Sequence, residues 1–278
     1  MRLFLLIALT MTSFAANSVL NRAAVGAGEL GAMAFGAVRL GAGACVLLAL
    51  VLLLRRRPAL GGPGRVPGVA GLFVYIFGFS FAYQALDAGL GALILFGCVQ
   101  ITMFAGALVQ GERPPALRWA GAAVALCGLA WLLWPGAGVS VSLPHAFAMV
   151  AAGAGWGVYS LAGRASTDPL AATMANFLLA APAGLVLAGA LPGAFEPATP
   201  LGLGLAVVSG AVASGMGYAL WYSVLPRIPG TVAAIAQLTV PVIAMAGGAV
   251  LLGEVPGADA LLAGAVVLGG VGLSVLRR

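Results

Sequence analysis

Lysine is absent from this chain, histidine occurs once, and aspartate plus glutamate number only seven in 278 residues. Each shortage excludes something. One histidine cannot join a second to hold zinc. Three cysteines with no CxxC spacing (Cys45, Cys98, Cys127) give no redox or metal motif, and read as small apolar packing residues. GxSxG, HExxH and Walker A sequences are all missing, which removes the common hydrolase, metalloprotease and nucleotide-hydrolysing designs. His145 lies beside a loop, too shallow to partner a membrane-embedded serine nucleophile. The expectation is a protein that is not an enzyme, with no cofactor and no metal.

Charge is scarce overall: 7% of residues, against about 25% in an average soluble domain. Of all residues, 62% are hydrophobic. Apolar runs fall at 3–21, 30–54, 67–86, 90–110, 117–134, 146–163, 170–190, 201–225, 230–252 and 260–276. A spanning helix takes about 20 apolar residues, so ten spans use up the chain and leave no room for a soluble domain. None of the runs alternates with period two, which argues for helices over a β-barrel. The predicted fold is all-α and integral to a membrane.

The net charge of +6 follows from 13 arginines. With the N-terminus inside, eleven of them fall in cytoplasmic segments. Only Arg22 falls in an outer loop, and Arg39 within a span. Five acids (Glu29, Asp87, Glu196, Glu254, Asp259) fall outside. Such asymmetry orients a membrane protein, so the basic balance calls for no nucleic acid. It predicts a multi-pass membrane protein with both termini cytoplasmic. The start of the chain has features of a signal peptide, Arg2 before an apolar run and Ser13-Phe14-Ala15 as a cleavage-like site. The first span nevertheless matches the sixth, so it is read as a retained helix.

That match belongs to a larger one. Shifted by 142 positions, Phe14-Ser18-Arg22 falls on Trp156-Ser160-Arg164, and Gly111-Glu112-Arg113-Pro114 on Gly253-Glu254-Val255-Pro256. Phe79 and Tyr83 match Tyr218 and Tyr222 at 139. The chain thus divides into repeats at 1–137 and 138–278, each of five spans. Five is odd, so the second repeat enters the bilayer inverted, as in many secondary transporters. Forty-two glycines permit close helix approach, as at Gly153-xxx-Gly157.

Polar and aromatic residues within spans mark a solute path, because polar groups at membrane depth are costly. The candidates are Asn17, then Tyr75, Phe79 and Tyr83 on one helix face, Gln100, Trp156, Tyr159, Ser160, Tyr218, Tyr222 and Gln237. Each also fits ordinary interhelical packing or hydrogen bonding. Pro241, one turn beyond Gln237, is a candidate hinge. Arg39 reads near the outer third of its span, where it either snorkels, binds a carbonyl, or attracts a carboxylate. No acid lies at mid-span, so no obligatory proton coupling is expected.

Gly-Trp-Gly-Val-Tyr-Ser-Leu-Ala-Gly-Arg (155–164), Gly-Tyr-Ala-Leu-Trp-Tyr (217–222), Leu-Thr-Val-Pro-Val (238–242) and Leu-Gly-Glu (252–254) together resemble the drug/metabolite transporter superfamily in its EamA-type ten-helix branch. The chain looks most like its bacterial aromatic amino acid exporters. The resemblance implies a monomer exporting small amphipathic metabolites, aromatic or neutral amino acids above all, by alternating access. The alternative it leaves is a proton-coupled exporter of cationic drugs. The partners implied are the solute and the lipid bilayer. Phe14-Ala15 stands where that branch commonly has a Trp-Gly-like pair, and Val99 where the second repeat has Pro241.

Overall fold

The structure, a computed structural model, describes residues 1–109, 111, 113–134, 142–164, 166–228 and 230–275. Glu112, most of the loop beginning at Pro135, Pro229, Arg277 and Arg278 lie outside them.

Hydrocarbon supplies no partner for a peptide N–H, so an apolar chain of this kind satisfies its backbone within helices. The described residues contain no strand, and the all-helical reading holds. The helices are α1 Arg2–Asn21 with a π-helical extension Arg22–Gly26, α2 Ala32–Leu53, α3 Arg65–Ala82, α4 Ala88–Val109, α5 Ala116–Leu132, α6 Leu143–Gly163 and α7 Pro169–Ala190. Then follow α8 Pro200–Val224, α9 in two pieces (Gly230–Gln237 and Thr239–Leu252) and α10 Ala258–Val275. Among the described residues eight are long and apolar enough to cross a membrane; the shorter apolar helices are Ala116–Leu132 and Ala258–Ser274.

Two spans are less regular than the sequence reading had them. α9 breaks at Leu238, three residues before Pro241. The proline has no N–H to give the Gln237 carbonyl and its ring crowds that oxygen, so the ladder stops there. α8 contains a π-helical stretch, Ser209–Met216, between two α-helical ends.

The outside of the bundle is greasy and the inside holds the polar groups. Val250, Leu251, Val186 and Phe147 are largely exposed, whereas Asn17, Asn21, Arg39, Ser80, Thr173, Ser209 and Ser214 are buried. That inversion of the soluble pattern is what lipid requires.

Loops alternate between two ends. At one end the α1–α2, α3–α4 and α9–α10 connections meet, with Arg22 Nη2 3.7 Å from Asp87 and Arg22 Nε 2.6 Å from Glu254. The α7–α8 loop joins them, as Thr199 Oγ1 donates to Glu29 Oε2 at 2.6 Å. At the other end Arg56 of the α2–α3 loop pairs with Asp168 of the α6–α7 loop at 2.7 Å.

Packing has an internal symmetry. α3 packs on α6 as α8 packs on α1, α4 on α6 as α9 on α1, and α3 on α7 as α8 on α2. α2–α7, α4–α9 and α5–α10 are also neighbours. Moving every helix five places along the chain leaves this set unchanged.

Glycine makes the closest crossing possible. A Cβ at Gly71 would stand 2.6 Å from the Gly155 carbonyl, and one at Gly155 would stand 2.7 Å from the Gly71 carbonyl. α3 and α6 therefore touch backbone to backbone. Gly155→Leu has to part them, at a cost of about 1–3 kcal/mol or more for overpacking. It should lower the thermal midpoint and broaden the size-exclusion peak. Gly189→Leu, with nothing within 4 Å of its Cβ, should leave both unchanged.

Candidate functional site

Where α1, α3, α6 and α8 converge, aromatic rings form one connected cluster. Phe14 meets Trp156, Tyr218 and Trp221 edge-on at centroid distances of 6.1, 5.6 and 5.9 Å. Tyr75 lies 4.9 Å from Trp156 and 5.3 Å from Phe79, and Trp156 lies 5.1 Å from Tyr218. Tyr83 closes on Phe79 at 4.7 Å. Offset and edge contacts of this kind are the favoured aromatic geometries.

The cluster surrounds a void lined by Phe14, Asn17, Ser18, Tyr75, Phe79, Leu95, Phe96, Trp156 and Tyr218. Its water-accessible volume is about 10 Å³, room for about one water. This conformation is therefore closed around the centre.

Polar groups are threaded between the rings. Asn17 Oδ1 accepts from Ser209 Oγ at 2.7 Å and Ser214 Oγ at 3.3 Å. Both serines belong to the π-helical stretch of α8, whose wider turn presents them together to α1. Asn21 Nδ2 donates to Ser80 Oγ at 3.0 Å. Tyr159 Oη shares a hydrogen bond with Thr173 Oγ1 at 2.8 Å.

Arg39 is fully buried, and its hydrogen bonds among the described residues go to hydroxyls. Its Nε donates to Ser214 Oγ at 3.0 Å and its Nη2 to Tyr75 Oη at 2.9 Å. Its guanidinium carbon lies 5.1 Å from both the Tyr75 and Phe79 ring centres. Hydrogen bonds to a charged group bring about 1.5–3 kcal/mol each, and a desolvated cation–π contact about 2. They offset a desolvation penalty of several kcal/mol per ion. Nη1 is left over. Arg39 Nη1, Tyr218 Oη and Asn21 Oδ1 are buried polar atoms with no hydrogen-bond partner among the described residues.

Of the residues singled out from sequence, Asn17, Tyr75, Phe79, Trp156 and Tyr218 line the void, and Tyr83 and Tyr159 touch its rings. Gln100, Ser160, Tyr222, Gln237 and Pro241 are not among its lining residues. Ser160 Oγ turns back to the Trp156 carbonyl at 2.7 Å, and Tyr222 sits near Gly163 at the Arg56 end. His145 stacks on Phe81 at 4.7 Å in the first turn of α6.

Sequence reasoning passed over two groups. Phe14 sits at the hub of the cluster, although it reads in the sequence as a departure from a Trp-Gly-like pair. Arg22 and Glu254 form a clasp. Arg22 Nη1 donates to the Tyr83 and Gln84 carbonyls at 3.2 and 3.3 Å. Glu254 Oε2 accepts the Ala88 N–H at 2.8 Å, at the start of α4, where the helix dipole favours a negative charge. The signal was present as a cation and an anion at repeat-marked positions, but their separation of 232 residues concealed it.

A cavity of about 290 Å³ opens beside the clasp, lined in part by Asp87, Glu254, Asp259, Leu93 and Met245.

A bundle of long apolar helices closing on a polar and aromatic centre, with one end clasped by ion pairs, is the architecture of a multi-pass membrane protein. Residues 143–276, the second half of the chain, match the EamA-like transporter family. It is 46% identical over 280 residues to an uncharacterized protein of Pseudomonas aeruginosa, covering 100% of this chain and 96% of that one. A solved crystal structure of a protein shares the fold at a TM-score of 0.64 and 21% identity, over 96% of each chain.

The clasp yields a prediction. In a background without native cysteines, Ser18→Cys places a thiol on the central void. Adding Glu254→Gln removes the anion that ties α1 to α9 and α4. Labelling by a charged maleimide from the Arg22 end should then become several-fold faster. Unchanged labelling would show that the clasp does not hold this end shut.

Proposed function

We propose that the chain is an inner-membrane exporter of small amphipathic metabolites, with aromatic and other neutral amino acids foremost, working by alternating access. The observation that carries this reading is the central void, walled by Asn17, Tyr75, Phe79, Trp156 and Tyr218 from four helices. Rings offer stacking surface to an apolar body, and the amides and hydroxyls beside them offer hydrogen bonds to its polar end. Its small volume fits an occluded step between openings.

Ten spans in two inverted repeats, 1–137 and 138–278, supply the rocking parts in this proposal. The symmetric packing of α1–α5 with α6–α10 supports it, as does the alternation of loops between two ends. Both termini are then cytoplasmic, and the Arg22 clasp faces outward. Arg56 and Asp168 face inward, in keeping with arginine-rich inner loops. The protein works as a monomer in the bilayer and binds no nucleic acid. No acid lies at mid-span, so export runs without obligatory proton coupling.

A second reading, proton-coupled export of cationic drugs, draws on the cavity lined by Asp87, Glu254 and Asp259. Those carboxylates stand at one end of the bundle rather than its centre, which favours the first reading.

Reconstitution in liposomes separates the two. Radiolabelled phenylalanine and tryptophan should equilibrate faster than in empty vesicles, and an imposed pH gradient alone should not drive uphill accumulation. Trp156→Ala or Tyr218→Ala should slow that flux by about tenfold or more if each ring contributes on the order of 1.4 kcal/mol to the bound state, with the monodisperse peak retained. Wild-type flux in both variants, or accumulation driven by protons, would overturn the corresponding claim.

A further inference from the structure

Arg39 poses a question of charge. The helices packed on α2 include α3, α7 and α8, and none of these four contains an aspartate or glutamate. Among the described residues no carboxylate lies within salt-bridge distance of the guanidinium. A buried cation is ordinarily matched by an anion, and here the described residues provide neutral hydroxyls and two ring faces.

Two of the three unpartnered buried atoms, Arg39 Nη1 and Tyr218 Oη, belong together. Arg39 Nη1 has no acceptor, and Tyr218, whose hydroxyl also has no partner, stands beside Arg39. Both are donors. On α1, Asn17 Oδ1 is already taken by Ser209 and Ser214. Tyr75, which holds Nη2, and Phe79, which lies under the guanidinium, both wall the central void. A buried positive group with two spare donors, next to an aromatic pocket, suits a planar anion bearing an apolar tail.

We propose that Arg39 and Tyr218 form a carboxylate-binding subsite, so that the solute is recognised as an amphipathic carboxylate. This rests on the central void being the solute site. The acid group accepts from Arg39 Nη1 and the Tyr218 hydroxyl when the pocket widens, and the apolar part lies among Phe14, Phe79 and Trp156. The acid is obligatory; an amino group beside it is not. Cationic amphiphiles are refused, because they meet Arg39 with like charge and no compensating anion.

The test is titration calorimetry on the purified full chain in lipid nanodiscs at pH 7.5. The probes are phenylacetate, phenylacetamide and phenethylamine, which share one ring and differ in charge. Phenylacetate should bind at least about tenfold more tightly than the amide, as expected for charge-assisted hydrogen bonds, and phenethylamine more weakly still. Arg39→Gln should abolish the preference for acid over amide, and Arg39→Lys should restore part of it. A merely structural role for Arg39 would not move that ratio.

Equal binding of acid and amide by the wild-type protein overturns the subsite, as does an unchanged ratio in Arg39→Gln. Absence of binding by all three probes overturns it as well. Should Arg39→Gln fail to fold, the wild-type acid-to-amide ratio decides alone. Flux in liposomes keeps the two claims apart. Phenylalanine flux with no acid preference sinks the subsite and leaves the carrier, whereas carboxylate-selective binding with no flux sinks the carrier and leaves the subsite.

Discussion

A polar group in hydrocarbon has nowhere to turn except to the protein itself. That constraint organises the molecule. It forces the backbone into helices, sends leucine and valine outward, and gathers asparagine, serine, tyrosine and one arginine into the interior. Small residues make the gathering possible. The Gly71–Gly155 approach brings α3 and α6 near enough for Tyr75 and Trp156 to meet at 4.9 Å. The aromatic centre is thus a product of close packing as much as of ring content.

Burial of Arg39 carries the same constraint furthest. A guanidinium off the bilayer surface is tolerated only where fixed dipoles and ring faces replace its water. The π-helical stretch of α8 contributes to this. It turns Ser209 and Ser214 together toward Asn17, while Ser214 also receives Arg39. Through Tyr75, which takes Nη2, one short polar chain ties four helices, and Nη1 stands at its side with a proton to give.

Much of the fold was readable in the sequence because membrane spans announce themselves by length and apolarity, and repeats by spacing. The aromatic centre was partly readable for a related reason. Tyr75, Phe79 and Tyr83 share a face by helical periodicity, and Trp156 follows from the repeat. What escaped depends on contacts between distant segments. Nothing local in Arg22 or Glu254 says that they pair. Phe14 looked like a departure from a pattern, and only its neighbours show it to be central. Lateral burial was the other blind spot. A position along a span says nothing of which neighbours enclose it, and α3 and α8 enclose Arg39. Pro241 was legible as a source of bending, and its effect appears at Leu238, because proline acts on the carbonyl one turn earlier.

The wide-turn stretch in α8 has a further bearing on how this helix is phased. Each residue of an α-helix advances the side-chain direction by about 100°, so the extra winding between Ser209 and Met216 sets the angular offset between the two ends of α8. Gly202 and Ala206 face inward on one side of it, Tyr218 and Trp221 on the other. Tightening the coil to ordinary pitch would swivel one end against the other and carry the two rings away from the bundle axis toward the lipid. The helix thus contains its own rotary joint, one residue's worth of slack stored midway along a rod.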